Sequence, residues 1–411
     1  MRINWFIKKV FQYLNILILV IYSGTLYGLR EIGLSSIVDR KNLIVYIGFY
    51  YSILYLLLYT IKKGGRLIKN NILILLFCTF IIFISIFFNN TSYVLRENFL
   101  LIGTILYVMY LVINYEFEKL MRMFYKSQVI VTISNIIFTI IYPQFGKMMY
   151  DGELVWRGLF GHKNSLAVNM AFGIILSYSI YSISQKKGDK VFTMLNMTLS
   201  FIVLLLTNSL TSLVIVILSY IILQLYKKQC FKINPIKLLL LVNIIIYGFV
   251  FLGNKYNDLF MRVFGRDLSL TGRVDIWEVI IDLILKKPLT GYGYGGIWYE
   301  DSLLQNYIWS KTFIGMEGSH NGFLEWALQI GIIGMILFII VLSSMGKKTM
   351  RIKKINPILF SISIQYTVYL LIFYITEKIT SPITYQFLFL IIIIVATNQE
   401  LYKAARIKER Q

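Results

Sequence analysis

Three short stretches gather the residue types that can hold an anion and move a proton: "WRGLFGHKNSLA" at 156–167, "SLTGRVDIWEVI" at 269–280 and "GSHNGFLEW" at 318–326. The chain has only two histidines, and they stand in the first and third of these, as His162 and His320. Arginine carries a planar fork that grips phosphate oxygens in pairs, and Arg157 and Arg273 supply one fork each. The first and third stretches lead directly into long apolar runs, so each marks a helix amino terminus, where unpaired N–H groups and the positive end of the dipole favour an anion. Asn164 is the expected cap of the first helix, with His162 and Lys163 beside it. In the third, Asn321 adjoins His320 and Glu325 lies about one turn deeper. The field of that helix start disfavours protonation of His320 and keeps its imidazole available as a base. Taken singly, each stretch also reads as interfacial cations beside a glycine turn, and Arg273 as a salt bridge to Asp275 or Glu278.

The elements that must position these residues are membrane helices. With 57% hydrophobic and 15% charged residues among 411, the composition is not that of a soluble chain. Uncharged runs long enough to cross a bilayer recur at about 11–29, 42–61, 71–89, 98–114, 127–143, 164–183, 191–207, 210–226, 236–252, 321–343, 357–376 and 382–398. The runs are continuous and not alternating, so each must satisfy its backbone as a helix. The expected fold is an all-α polytopic membrane protein of about twelve transmembrane helices, with residues 1–143 as an amino-terminal five-helix region and 144–411 as the region bearing the motifs. Assigning loops alternately puts 26 of the 41 basic residues on one side, which predicts that side, and both termini, to be cytoplasmic. The net charge of +21 is then a topology signal, dispersed in small clusters, and predicts no nucleic-acid partner. The lipid bilayer is the partner it does predict.

Residues 253–320 form the longest extracytoplasmic segment, with seven basic and eight acidic residues. Within it "RVDIWEVIIDLILKK" puts Asp275, Glu278, Asp282 and Lys286 on one helical face, an amphipathic helix expected at the outer interface. "GYGYGG" at 291–296 follows a helix and not a strand, so it lacks the context of a dinucleotide fingerprint. Tyr292, Tyr294, Trp298 and Tyr299 offer faces to sugar rings or, equally, make an interfacial aromatic belt. The outer loops hold no Asp-x-Asp pair, and neither a metal nor another cofactor is required. The spans contain almost no charge, which disfavours a transport pathway.

"RGLFGHKNSLA", "LTGRVDIW…KKPLTGYGYGGIW" and "HNGFLEWALQIGIIG", in this order among about twelve helices, resemble the O-antigen ligase and polymerase superfamily, and most of all its exopolysaccharide (capsular polysaccharide) polymerases. The resemblance implies a GT-C-like glycosyltransferase of the bacterial cytoplasmic membrane whose donor is an undecaprenyl-diphosphate-linked oligosaccharide. It implies arginines on the diphosphate and a histidine at the reaction centre, which carry over to Arg157, Arg273 and His320. His162, Lys163, Asn164, Asn321, Glu325, Tyr292, Tyr294 and Trp298 then fall to substrate binding, with Glu325 holding the imidazole or sugar hydroxyls. A flippase and a chain-length regulator of the same pathway are the implied protein partners. Transfer to another repeat unit or, in a ligase, to a lipid, wall polymer or protein both fit the motifs; a lipid-linked glycan flippase is the more distant alternative.

Single cysteines introduced on a background lacking Cys78 and Cys230 test the topology. Those within 253–320 are expected to react with an impermeant maleimide in intact spheroplasts, and those at 62–70, 186–190 and 345–356 only after permeabilisation.

Overall fold

The computed structural model describes residues 2–63, 66–88, 91–255, 273–299, 302–312, 318–377 and 381–409. Its helices are α1 (Arg2–Tyr22), α2 (Ser35–Lys63), α3 (Arg66–Asn70), α4 (Ile72–Phe88), α5 (Ser92–Asn114), α6 (Phe117–Ile141), α7 (Pro143–Gly146), α8 (Lys163–Ile183), α9 (Lys187–Leu206), α10 (Leu210–Lys227), α11 (Pro235–Lys255), α12 (Arg273–Lys286), α13 (Leu303–Lys311), α14 (Gly322–Ile352), α15 (Pro357–Thr376) and α16 (Tyr385–Lys408). Every apolar run in the sequence is met by one long helix. Among the described residues nine are long and apolar enough to cross a membrane, and Ile72–Phe87 and Pro235–Ile245 are shorter apolar helices. The protein is an all-α, multi-pass membrane protein. Its first helix begins earlier than the expected 11–29 and ends at Tyr22, because Gly24 takes a positive φ of 80° and a 3-10 turn follows at Tyr27–Ile32.

The largest buried core draws on residues from Ile16 to Ala396, with Tyr366, Tyr369, Tyr374 and Tyr385 fully buried in it. Many buried polar atoms are satisfied across helices, as they must be where no water can reach them: Asn135 on α6 donates to Thr25 Oγ1 at 2.8 Å and accepts from the backbone of Leu159 at 2.8 Å. That second bond pins the "RGLFG" loop. Gly158 there has φ 60°, and a side chain on it would collide with Asn135 Oδ1.

One feature of the fold was not expected. Strands β1 (Lys147–Tyr150) and β2 (Glu153–Trp156) pair antiparallel, with Tyr150 opposite Glu153 across a turn whose central residues, Asp151 and Gly152, both have positive φ. Two positive values are the signature of a tight hairpin turn matched to strand twist.

α14 is broken. Gly331 has φ 71° and ψ 176°, a conformation no helix contains. The carbonyls released by the break are taken up by the "GYGYGG" loop: Tyr292 N–H donates to Leu328 O at 3.0 Å and Gly293 N–H to Gln329 O at 2.8 Å, while Ile332 N–H reaches Pro288 O at 2.8 Å. The glycines are needed because backbone meets backbone here; a Cβ on Gly331 would overlap the carbonyl of Leu289, and one on Gly291 the carbonyl of Leu328. α12 lays Ile276, Trp277, Ile280, Leu283 and Ile284 against Tyr292, Ile308, Ala327 and Leu328. Its apolar face is therefore covered mainly by protein and not by the interface, since α14's first segment and the loop offer a closer apolar surface.

Gly331→Ala combines overlap with a left-handed backbone, and is expected to destabilise the protein by roughly 3 kcal/mol or more. A fall in melting temperature and loss of monodisperse elution in detergent would report it; a fully stable variant would mean that the break is not required.

Candidate functional site

The site is assembled where α8 and α14 begin and α15 ends. α8 starts at 163 because His162 is extended (φ −146°, ψ 149°) and its Nδ1 accepts the backbone N–H of Asn164 at 3.2 Å. The cap is thus His162 and not Asn164. The Asn164 amide, released from that duty, donates to Glu377 Oε1 at 3.0 Å. α14 starts at Gly322 because Asn321 Oδ1 accepts the N–H groups of Phe323 and Leu324. His320, just before the cap, takes a positive φ of 49°. α15 stops at Glu377, whose backbone is extended (φ −141°, ψ 151°) while its N–H still bonds to Phe373 O at 2.7 Å.

Glu377 joins the three motifs. Its Oε2 lies 3.6 Å from His320 Nδ1, and its Oε1 accepts from Arg273 at 3.4 Å as well as from Asn164. Arg273 pairs with this carboxylate and not with Asp275 or Glu278, because α12 is rotated so that those acids face solvent. Burial would raise the proton affinity of Glu377, but the hydrogen bond to His320, the Arg273 charge and the two neighbouring imidazoles outweigh it and hold the carboxyl below its usual range. Burial also lowers the proton affinity of His162; Glu377 opposes this, and Lys163, His320 and Arg273 reinforce it. Both histidines therefore belong to one electrostatic group.

Other expected residues have structural duties. Glu325 does not hold the imidazole or face a sugar: it is fully buried and its oxygens accept from Trp298 Nε1 at 2.6 Å, Gln329 Nε2 at 2.5 Å and Ser319 N at 2.9 Å. Trp298 is committed to that carboxylate. Tyr294 is buried and stacks on Trp326 with centroids 5.8 Å apart, and Tyr292 donates to Leu283 O at 3.0 Å, so neither ring is open to a sugar. Asn321 is buried as a cap. Lys163 reaches away from the group, to Asn208 O at 3.2 Å and over the Tyr150 ring at 3.7 Å. Arg157 bonds to Glu31 Oε2 at 2.6 Å and to Phe145 O at 2.8 Å, and lines a neighbouring cavity of about 550 Å³ with Lys147, Gln144 and the hairpin. Of the loop charges, Asp258, Arg262, Arg266, Asp267, Glu300, Asp301 and Glu317 lie outside the described residues.

Glu377 was missed because it reads as the polar end of a span. The signal was there: a carboxylate in the last turn of a helix opposes the dipole and needs cations brought to it.

Residues 195–339 match the family model described as O-antigen ligase. The matched stretch contains Arg273 and His320 and leaves His162, Asn164 and Glu377 outside it. Among curated proteins the chain is 28% identical over 209 residues to the exopolysaccharide production protein ExoQ of Rhizobium meliloti, covering 48% of each chain. It is 31% identical over 102 residues to "Putative polysaccharide ligase" of Rickettsia felis, covering 24% of this chain and 25% of that one. The chain therefore matches half or less of the length of these relatives.

Because the Glu377 carboxyl is held below its usual 4.5, its contribution to stability is complete above that value and is lost as pH falls through the lower folded value. Glu377→Gln is expected to cost roughly 1–2 kcal/mol at pH 7. The gap from wild type in thermal unfolding should narrow as pH falls below 4.5; an unchanged gap would mean that the charge is not what the fold senses.

Proposed function

We propose that this chain, with its O-antigen ligase domain, is a polysaccharide polymerase of the bacterial cytoplasmic membrane. It transfers glycan from undecaprenyl diphosphate to a hydroxyl of another lipid-linked repeat unit at the outer face. The observation that carries this reading is Glu377 holding Arg273 on one oxygen and His320 on the other, at 3.4 and 3.6 Å. Phosphate chemistry and proton chemistry are thereby set side by side.

With Nδ1 turned to Glu377, the Nε2 of His320 takes the proton of the acceptor hydroxyl as its oxygen attacks the anomeric carbon. The carboxylate orients the ring and stabilises the imidazolium that forms. The bond between the anomeric carbon and the phosphate oxygen breaks, its electron pair leaves with undecaprenyl diphosphate, and the sugar inverts. Arg273 neutralises the charge that develops on the leaving group. Arg157, tied to Glu31, lies outside the Glu377 group and supports the donor from the adjacent cavity. The polysaccharide ligase names among the relatives favour a second reading, transfer to a different acceptor by the same residues.

Purified protein is expected to lengthen synthetic undecaprenyl-diphosphate repeat units with no nucleotide sugar present and with chelator present. Arg273→Lys should be nearly as damaging as Arg273→Ala, since an ammonium cannot reproduce the fork, each losing on the order of 10²–10³ in rate. His320→Ala should lose about 10²–10⁴. Retention of more than about a tenth of wild-type turnover by His320→Ala would overturn the assignment of the base.

A further inference from the structure

His162 stands in the group without a part in the steps above, and three observations define what it can do. Its Nδ1 is occupied as the acceptor of the α8 cap, so the hydrogen of the neutral ring is on Nε2. Its ring is fixed in angle by the edge of Tyr150, at 6.0 Å and 80°. Tyr150 is itself clamped at the hairpin end by the Lys163 ammonium over its face. Finally, the next residue but one, Asn164, is bonded to Glu377, and Glu377, His320 and Arg273 all act electrostatically on the His162 ring. Among the described residues no hydrogen bond is made to Nε2, and the side chain is half-buried.

We infer that His162 donates a hydrogen bond from Nε2–H to a phosphate oxygen of the lipid diphosphate, completing with Arg273 the cradle for the leaving group. The inference rests on the donor class proposed above. The choice of phosphate over a sugar hydroxyl follows from the field: the ring stands at the positive end of α8 and within reach of the Arg273 charge, and such a field selects an anion. A donor that is neutral needs no counter-ion when the substrate leaves, and burial, with Lys163, His320 and Arg273, favours the neutral ring against the opposing pull of Glu377. Tyr150 is the residue that positions it.

Two substitutions separate this role from the cap. Asn is a strong cap whose oxygen replaces Nδ1 but whose side chain ends short of Nε2. Gln places an amide N–H near Nε2 and caps poorly. His162→Asn is expected to elute and melt as wild type yet lose roughly 10- to 100-fold in turnover, as for a hydrogen bond to a charged group. His162→Gln should recover to within about fivefold of wild type despite lower stability. In parallel, the thermal stabilisation of each protein by added undecaprenyl diphosphate is measured, which needs no catalysis. It should be reduced in His162→Asn and kept in His162→Gln. The reverse order in activity and in stabilisation, Asn intact and Gln impaired, would reduce His162 to a cap and overturn the inference. Wild-type protein that binds undecaprenyl diphosphate but lengthens nothing would overturn the polymerase reading alone, and the binding series would still decide the role of His162.

Discussion

A single carboxylate, Glu377, sits at the end of a helix where the dipole opposes it, and polar side chains from three regions of the chain are arranged around that unfavourable placement. Removed from water, a charge must find partners or change its protonation state. Here the partners arrive from three separate regions of the chain: Asn164 from the start of α8, Arg273 from the start of α12 and His320 from before α14. Each stands at a helix start, with His162 capping α8 and Asn321 capping α14. The site is therefore a meeting of helix ends, held by electrostatics, on top of a core that fixes where those ends must be.

A second acid, Glu325, lies nearby in sequence and has the opposite fate. It is sealed between Trp298, Gln329 and the backbone of Ser319, and so locks the loop before α14 to the strap formed by 288–298. Trp277 adds a bond to Ser319 O at 3.0 Å. These contacts hold the His320 backbone in its left-handed conformation, which a bulky residue adopts only when its surroundings impose it. One acid is spent on shape so that the other can act on charge.

Much of this was legible in the sequence, for identifiable reasons. Apolar runs must become helices in a bilayer, so the helices and their order followed, and His320 stood out at a run boundary and Arg273 at the start of the amphipathic helix. The rest depended on relations that one residue cannot show. Whether Glu325 or Glu377 faces His320 is a matter of helix rotation and of which ends meet. The hairpin at 147–156 is too short for its alternation to be distinct. The break at Gly331 is hidden within "LQIGIIG", because glycine in an apolar helix is common and only the approach of Leu289 and Thr290 makes it necessary. Lys163, Asn321 and the tyrosines near 292–294 were attractive as ligands for their chemical type, and their partners in the fold had first claim.

The dovetail between Gly331 and the glycine loop also changes what α14 can transmit. An unbroken helix is a stiff rod, and a push at one end arrives at the other. Here the intrahelical ladder is interrupted nine residues after Gly322, and the load crosses instead into the 288–293 backbone and from there into α12. Displacement originating at the Ile352 end would thus be delivered to Arg273 as well as to His320, moving the two together. Arg273 and His320 are thus tied to one backbone junction and not to two separate rods.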